Sequence, residues 1–431
     1  MASSRQPSTF GRKLRTIEER DTSPWYWGYL FQGTAILGVL PILIPIVVAQ
    51  TQGASAVGMV VAAFYLGQVL SPVLGQIADR TGKHSFFYLA GYVLVGCGAF
   101  GFALVDNLPL WLCFACIQGI GAGSSNTTSY SFIVEFTPRK EWDGRLGWLQ
   151  TFYGAGQAIG LVLAAVLQAD ARLGMMIAAG LMIPGVILGS LKLPRQKRTR
   201  ADQERPPTAH RVPAHGPARS PTSILRHYEH LGLGGLKSFA KIWCSRLGLY
   251  LLSWFFLMVG TWIIYNFFPL LMQQSYGISP GLSSLYYGIA ATIGVFFYAP
   301  SGTWAEQFGS ARLVMIGALA TLVTTVALVL LVPLPAAMQQ VLVPIFFILM
   351  PVAWSPLIVA GTALAGELTT IAEGTTMGLY NACTAVASVT AAVVGGWIAS
   401  VWNYAAASGV AAAMTLLAIL LLLPFLKRSR A

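Results

Sequence analysis

The sequence contains little charge, and its apolar stretches contain none in their interior. Only 10% of its 431 residues are charged, against about 25% in a typical soluble domain. All fifteen Asp and Glu residues fall in tails, in loops or at the ends of apolar runs, and no Lys, Arg or His falls within such a run. Ionisable residues inside a membrane usually mark proton relays or ion-pairing sites. The sequence therefore predicts neither a cluster of catalytic carboxylates or histidines nor a counter-charge for a charged ligand.

Cysteine is also scarce, with five residues in the chain. Cys113-x-x-Cys116 has the spacing of a metal or redox pair, but neither a second pair nor a nearby histidine accompanies it. The glycines of Gly232-x-Gly234-Gly235 follow no strand, so they do not indicate a nucleotide loop. We expect no metal, no disulfide, no cofactor and no enzymatic activity.

Hydrophobic residues, in contrast, make up 55% of the chain, and the mean hydropathy is +0.66. They form runs of about 20 residues, the length that crosses a bilayer as a helix. Barrel strands would be half as long and alternate in polarity. The sequence thus predicts an all-α membrane protein whose twelve spans cover residues 25–49, 57–78, 85–105, 109–134, 146–168, 173–191, 247–273, 281–303, 313–333, 338–364, 375–401 and 404–426.

The basic residues predict the orientation of these spans. With the twelve spans placed as above, 26 of the 27 Lys and Arg residues fall on one side, and Arg172 alone falls on the other. Because basic loops stay in the cytoplasm, both termini are predicted to be cytoplasmic, in a bacterial cytoplasmic (inner) membrane. The bases lie in loops, without a stripe of stacking aromatics, so the net charge of +12 does not indicate a nucleic-acid partner.

Composition divides the chain into two bundles. Residues 25–193 and 247–426 would each form a six-helix bundle, between tails at 1–24 and 427–431. Residues 194–246 are rich in Arg, Pro, Ala and His and predict a cytoplasmic linker that is partly disordered. Its end, 224–246, fits an interfacial amphipathic helix and plain linker equally well.

A short charged loop separates the second and third spans. It carries Gly75, Asp79, Arg80, Gly82 and Lys83, with glycines where helices approach or the backbone turns. This string resembles the signature loop between helices 2 and 3 of the major facilitator superfamily. The resemblance implies twelve helices in two pseudo-symmetric six-helix bundles that rock about a central site.

The same pattern returns in the second half of the chain. Gly302, Glu306 and Gly309 repeat Gly75, Asp79 and Gly82 at an offset of 227 residues. A second string, Glu135-Phe-Thr137 with Glu141, returns as Glu367-Leu-Thr369 with Glu373 at an offset of 232. Two similar offsets in order indicate a duplicated chain.

The resemblance also implies a conformational latch, which is a contact between the loop and helix 11 in the outward-open state. Asp79 would face the N-terminus of helix 11 near Gly374 and Thr375, where a negative charge is favourable, and Arg145 would pair with it. Gly75, Arg80, Gly82, Lys83, Gly302, Glu306 and Gly309 would complete this latch in the two halves.

Two departures argue against a drug–proton antiporter. Gln118-Gly119 matches that subfamily in helix 4, but Ala115 stands where its arginine would be, and residues 154–160 lack its proline. An acid at a helix end, Glu135 or Glu367, could still couple transport to protons. Each could equally cap its helix or pair with a loop base.

The central chamber is therefore predicted to be neutral and aromatic. A buried amide in lipid must face another helix or a wet cavity, and rings beside amides suit an uncharged polar molecule with an apolar face. The candidates for binding lie mid-span: Tyr29, Gln32, Gln68, Ser125, Asn126, Tyr153, Gln157, Trp262, Tyr265, Asn266, Tyr286, Tyr287, Trp354, Tyr380 and Asn381.

The leading functional hypothesis is a monomeric transporter, secondary active or facilitative, for a sugar, a nucleoside or a drug-like molecule. Its partners would be membrane lipids and that substrate. One alternative is a membrane protein on the same fold that handles lipid or pigment without transport. Another is proton-coupled drug efflux through an acid at a helix end.

Overall fold

The apolar runs form helices in the computed structural model, which describes residues 24–136, 142–191, 193, 245–369 and 373–426. Helices are expected here, because backbone groups in lipid must pair within their own segment. Most of the predicted linker, including the proposed interfacial helix, lies outside the described residues. The α-helices are α1 Trp25–Gly33, α2 Leu40–Val69, α3 Ser71–Thr81, α4 His84–Leu104, α5 Leu108–Phe136, α6 Trp142–Leu167, α7 Ala171–Ser190, α8 Arg246–Tyr276, α9 Pro280–Phe308, α10 Ser310–Leu330, α11 Ala336–Glu367, α12 Glu373–Val401 and α13 Tyr404–Leu426.

The described chain contains ten apolar helical segments long enough to cross a membrane, and two of them are long enough to cross twice. The first, Trp25–Gly75, has 51 residues and breaks at Gly53, where φ is 79°. The second, Trp148–Ser190, has 43 residues and is interrupted by the 3₁₀ turn Gln168–Asp170. With two crossings in each of these, the described residues contain the predicted twelve spans.

The segments that connect successive helices lie at the two opposite ends of the helix bundle. The termini face holds the described chain ends, Pro24 and Leu426, with the turns at residues 82–83 and 309. The opposite face, which we call the far face, holds Gly53, the 3₁₀ turn and the connections at 105–107, 277–279, 331–335 and 402–403.

Between α1 and α2 the chain forms a π-helical segment, Thr34–Val39. Pro41 lies two residues after this segment and has no N–H to donate, and the N–H of Leu40 reaches the carbonyl of Ala35, five residues back. The wider turn lies beside α6, where a Cβ on Gly38 would lie 2.4 Å from Gly160 Cα. It connects the first part of the span, Trp25–Gly33, to α2.

Glycines let helices of the N-terminal half touch backbone to backbone. A Cβ on Gly119 of α5 would lie 1.9 Å from the carbonyl oxygen of Phe64, and one on Gly160 of α6 would lie 2.1 Å from that of Thr34. Such small-residue crossings are the usual means of packing helices in lipid. Across the two halves, α2 packs against α12 and α8, and α6 packs against α9.

An ion pair joins two connections on the far face. Arg172, the base that the sequence placed alone on this side, donates to Asp106 in the 105–107 connection. The side chains keep 43% and 55% of their surface exposed, so water screens their attraction. Nearby Asp170 instead caps α7, because its Oδ1 accepts from the N–H of Leu173 at 3.0 Å.

Replacing either acid tests which contact matters for stability. Asp106→Ala should change the free energy of unfolding by less than about 1 kcal/mol, as for other exposed pairs. Asp170→Ala should cost about 1 kcal/mol, the usual loss for a helix cap. Thermal unfolding of the purified variants in detergent measures both, and a larger loss for Asp106→Ala would contradict this ranking.

Candidate functional site

A network of neutral polar groups lies in the N-terminal half. Asn126 Oδ1 of α5 accepts hydrogen bonds from Gln32 Nε2 at 2.9 Å and from the Tyr29 hydroxyl at 3.1 Å. Gln32 and Tyr29 are buried, and Asn126 is half-buried. The Tyr29 ring stacks on Tyr153 of α6, with 4.5 Å between ring centroids. Four of the predicted residues therefore meet, and we call them the Asn126 network.

The close approach of α1 and α6 creates this arrangement. A Cβ on Gly33 would lie 2.2 Å from the carbonyl oxygen of Tyr153, and one on Gly156 would lie 2.1 Å from that of Leu30. With no side chain at either glycine, the two backbones touch and the tyrosine rings can stack. Beside the network, Gln150 Nε2 donates to the Tyr130 hydroxyl. Sequence reasoning missed both of these residues, although both are polar residues within predicted spans.

The C-terminal half contributes a cluster of rings from three helices. Trp262 and Tyr265 of α8 each lie edge-on to Trp354 of α11, with ring centroids 5.8 Å and 6.0 Å apart. Tyr265 also stacks on Tyr287 of α9 at 5.5 Å. We call these four residues the aromatic cluster, and all four are among the candidates that the sequence predicted.

Two hydrogen bonds join the halves near mid-span. The Tyr65 hydroxyl of α2 donates to Asn266 Oδ1 at 3.3 Å, and the Tyr65 ring lies 5.4 Å from that of Trp262. Gln157 Nε2 of α6 donates to the Tyr287 hydroxyl at 3.3 Å. Sequence reasoning missed Tyr65 and chose Gln68, which is half-buried three residues further along α2.

Buried polar atoms at this site remain without a partner. Among the described residues, Gln32 Oε1, Asn266 Nδ2 and Trp262 Nε1 are shielded from solvent and have no hydrogen bond. Gln32 is fully buried and Asn266 is 7% exposed. Buried polar groups are normally paired, so unpaired atoms on Gln32 of the N-terminal half and on Trp262 and Asn266 of the C-terminal half indicate a place for a ligand.

Three other candidates lie apart from these contacts or on different helix faces. Tyr380 packs inside the C-terminal half against Trp254, with 4.8 Å between ring centroids, and Asn381 beside it is exposed. Tyr286 is half-buried, while its neighbour Tyr287 joins the aromatic cluster. Consecutive residues on a helix point about 100° apart, so only one of each pair can face a given neighbour.

Between mid-span and the far face, the halves are in tight contact. A Cβ on Gly58 of α2 would lie 2.3 Å from the carbonyl oxygen of Ala392 of α12 and 3.1 Å from Gly396 Cα. On the other side of the bundle, Gln168 Oε1 accepts from the N–H of Gly281 at the start of α9. We call these five residues the far-face seal.

The predicted latch is described only in part. Gly82 ends α3 with φ 64°, as expected for a glycine turn, and Gly309 takes φ 88° at the equivalent place in the second half. Gly75 is buried near Thr127, Lys83 is exposed, Gly302 faces open space and Arg145 is half-buried. The side chains of Asp79, Arg80, Glu306 and Glu135 lie outside the described residues, so their roles stay predictions.

Glu367, the other acid considered for proton coupling, lies on the termini face at the end of α11. It is exposed, and its Oε1 accepts from the Ser310 hydroxyl at 2.5 Å. Ser310 begins α10, so this bond ties two helix ends together. The role of Glu367 in proton coupling or in capping a helix stays a prediction.

Comparisons with known proteins agree with this fold. The crystal structure of nucleoside transporter NupG is similar to 95% of this chain over 98% of its own length, with 14% identity and a TM-score of 0.70. The D-xylose-proton symporter matches 93% of this chain over 95% of its own, with 17% identity and a TM-score of 0.69. A bacterial homolog of the human lysosomal transporter Spinster, inward-facing and occupied, matches 98% of both chains, with 11% identity and a TM-score of 0.67.

Sequence comparison gives the family. The uncharacterized MFS-type transporter YfiU of Bacillus subtilis (strain 168) is 30% identical over 89 residues, which span 21% of this chain and only 17% of that protein. A sequence model of the Major Facilitator Superfamily matches residues 26–369, most of the chain. This protein belongs to the Major Facilitator Superfamily.

Proposed function

We propose that this chain carries a small uncharged organic molecule across the membrane by alternating access. The observation that carries the proposal is the neutral site between the halves, where the Asn126 network and the aromatic cluster leave three buried polar atoms unpaired. The named side chains of this site are amides and aromatic rings, which can bind a neutral ligand and offer a charged one no side chain of opposite charge.

The position of the far-face seal supports the rocking mechanism. Gly58 lies five residues beyond the break at Gly53, so the seal closes the outer part of the bundle, and the polar site lies deeper. A site that is closed toward one face and binds ligand between two halves is suited to transport by rocking. If the termini are cytoplasmic, as the basic loops favour, this arrangement is the inward-facing one in a bacterial cytoplasmic membrane.

Facilitated diffusion is the mode that the site favours. Proton relays inside a membrane usually use ionisable side chains, and the named side chains of this site are amides, indoles and phenols. Glu367 is bonded to Ser310 on the termini face, away from the ring contacts. We therefore expect a concentration gradient of substrate to be sufficient for transport.

Flux measurements in proteoliposomes test this function. Purified protein is reconstituted, and uptake of radiolabelled uridine, D-xylose and chloramphenicol is followed with and without an imposed pH gradient, beside protein-free liposomes. Saturable uptake of at least one compound at the same rate in both conditions is expected. Uptake that requires the gradient would contradict facilitated diffusion, and equal uptake by protein-free liposomes for every compound would contradict transport of these compounds.

A further inference from the structure

Two of the unpaired atoms at the site are hydrogen-bond donors on one helix. Asn266 Nδ2 and Trp262 Nε1 both belong to α8, four residues apart, and residues at that spacing share a helix face. Asn266 is 93% removed from solvent. Bulk solvent therefore does not reach its amide hydrogens, and a buried donor without an acceptor is unfavourable until a ligand supplies one.

The hydrogen bond from Tyr65 determines which atom of the Asn266 amide stays without a partner. The Tyr65 hydroxyl donates to Asn266 Oδ1, so the amide oxygen is occupied and the amide nitrogen is left. Tyr65 also packs edge-on against Trp262 at 5.4 Å. One residue of the N-terminal half thus positions both donors of the C-terminal half.

The third unpaired atom has the opposite character. Gln32 Oε1 is an acceptor in the N-terminal half, while its Nε2 is held by Asn126 Oδ1 at 2.9 Å. A ligand that satisfies all three atoms must accept hydrogen bonds from α8 and donate one to α1. A hydroxyl group can do both, whereas a carbonyl or ether oxygen can only accept.

We propose that the substrate is a hydroxylated ring compound, a sugar or the ribose of a nucleoside, held by Trp262 Nε1 and Asn266 Nδ2 as donors and by Gln32 Oε1 as acceptor. The ring's less polar face lies against Tyr265 and Trp354. This inference rests on the proposed transport function and adds the chemistry by which the site selects its substrate.

Matched probes test the hydroxyl requirement. Proteoliposome uptake is measured for uridine and 2′,3′-dideoxyuridine, for D-glucose and 2-deoxy-D-glucose, and for caffeine, a neutral ring that offers acceptors and no hydroxyl. At least one hydroxylated probe should be taken up, with kcat/KM at least about tenfold above its deoxy analogue, the effect of one neutral hydrogen bond. Comparing the uptake of uridine with that of D-glucose shows whether the hydroxyl groups belong to a nucleoside or to a free sugar.

Variants connect this preference to the named atoms. Trp262→Phe keeps a ring and removes the indole N–H, and Asn266→Leu removes the amide. Each should lower kcat/KM for the hydroxylated probe about tenfold and change uptake of the deoxy analogue less. The matched control is Trp397→Phe, because Trp397 is 56% exposed on α12 and should leave uptake unchanged.

The outcomes separate this inference from the function on which it rests. Uptake of caffeine but not of the hydroxylated probes would overturn the hydroxylated substrate and leave transport standing. A Trp262→Phe variant that behaves like Trp397→Phe would overturn the role of the indole donor. Uptake of no probe at all by folded protein would contradict both the transport function and the substrate class.

Discussion

Replacing Gly58 with leucine should prevent closure of the far face and reduce transport at least about tenfold. A Cβ at this position would lie 2.3 Å from the carbonyl oxygen of Ala392, and a backbone oxygen cannot rotate away as a side chain can. Overpacking of this kind costs about 1–3 kcal/mol. Because the clash is between the halves, it should act on the closed arrangement and leave each half folded.

A cysteine reporter makes this change visible. In a chain whose native cysteines are replaced by serine, Ala54→Cys places a thiol one turn from Gly58, next to Gly396. Gly58→Leu should raise its labelling rate with a membrane-impermeant maleimide. Gly180→Leu is the matched control, because Gly180 is exposed within α7 with nothing within 4 Å of its Cβ position. Equal labelling in both variants would rule out the seal at Gly58.

Replacing Asn126 with leucine should both destabilise the protein and impair transport. The change removes the acceptor for Gln32 Nε2 and for the Tyr29 hydroxyl, and both donors are buried. A buried donor left without a partner costs about 1–3 kcal/mol. We expect a lower unfolding temperature in detergent and a loss of uptake of about tenfold or more.

The control for this substitution is Asn107→Leu, which makes the same chemical change at an exposed position of the 105–107 connection. It should leave the unfolding temperature and the uptake close to those of the unchanged protein. An Asn126→Leu variant with unaltered stability would mean that the hydrogen bonds of the Asn126 network contribute nothing measurable.

The spans could be predicted because their physical requirement is simple. About 20 apolar residues are needed to cross a bilayer, and any charge between them is costly, so length and charge alone locate the helices. The turn at Gly82 could also be predicted from the sequence, because a left-handed backbone conformation favours glycine. The kind of residue at the candidate site could be predicted, because polar groups in the middle of a span need hydrogen-bond partners.

Which polar residues meet could not be predicted from the sequence. Tyr65 and Gln68 are three residues apart on α2, and only the crossing of α2 with α8 brings Tyr65 to Asn266. The sequence proposed both Tyr380 and Asn381, although adjacent helix residues cannot face the same neighbour. That choice depends on helix rotation, which is fixed by glycine contacts such as the one at Gly361, whose Cβ would meet the Trp254 ring at 2.6 Å.

The chemistry of the far-face seal has a consequence for the energy of the transport cycle. Gly58, Ala392 and Gly396 meet through backbone atoms, and Gln168 bonds to Gly281 through a neutral amide. When these surfaces part, water replaces a neutral hydrogen bond at a net cost of about 1 kcal/mol, and no buried ion pair has to be broken. A few contacts from one bound molecule are then enough to shift the balance between the two arrangements.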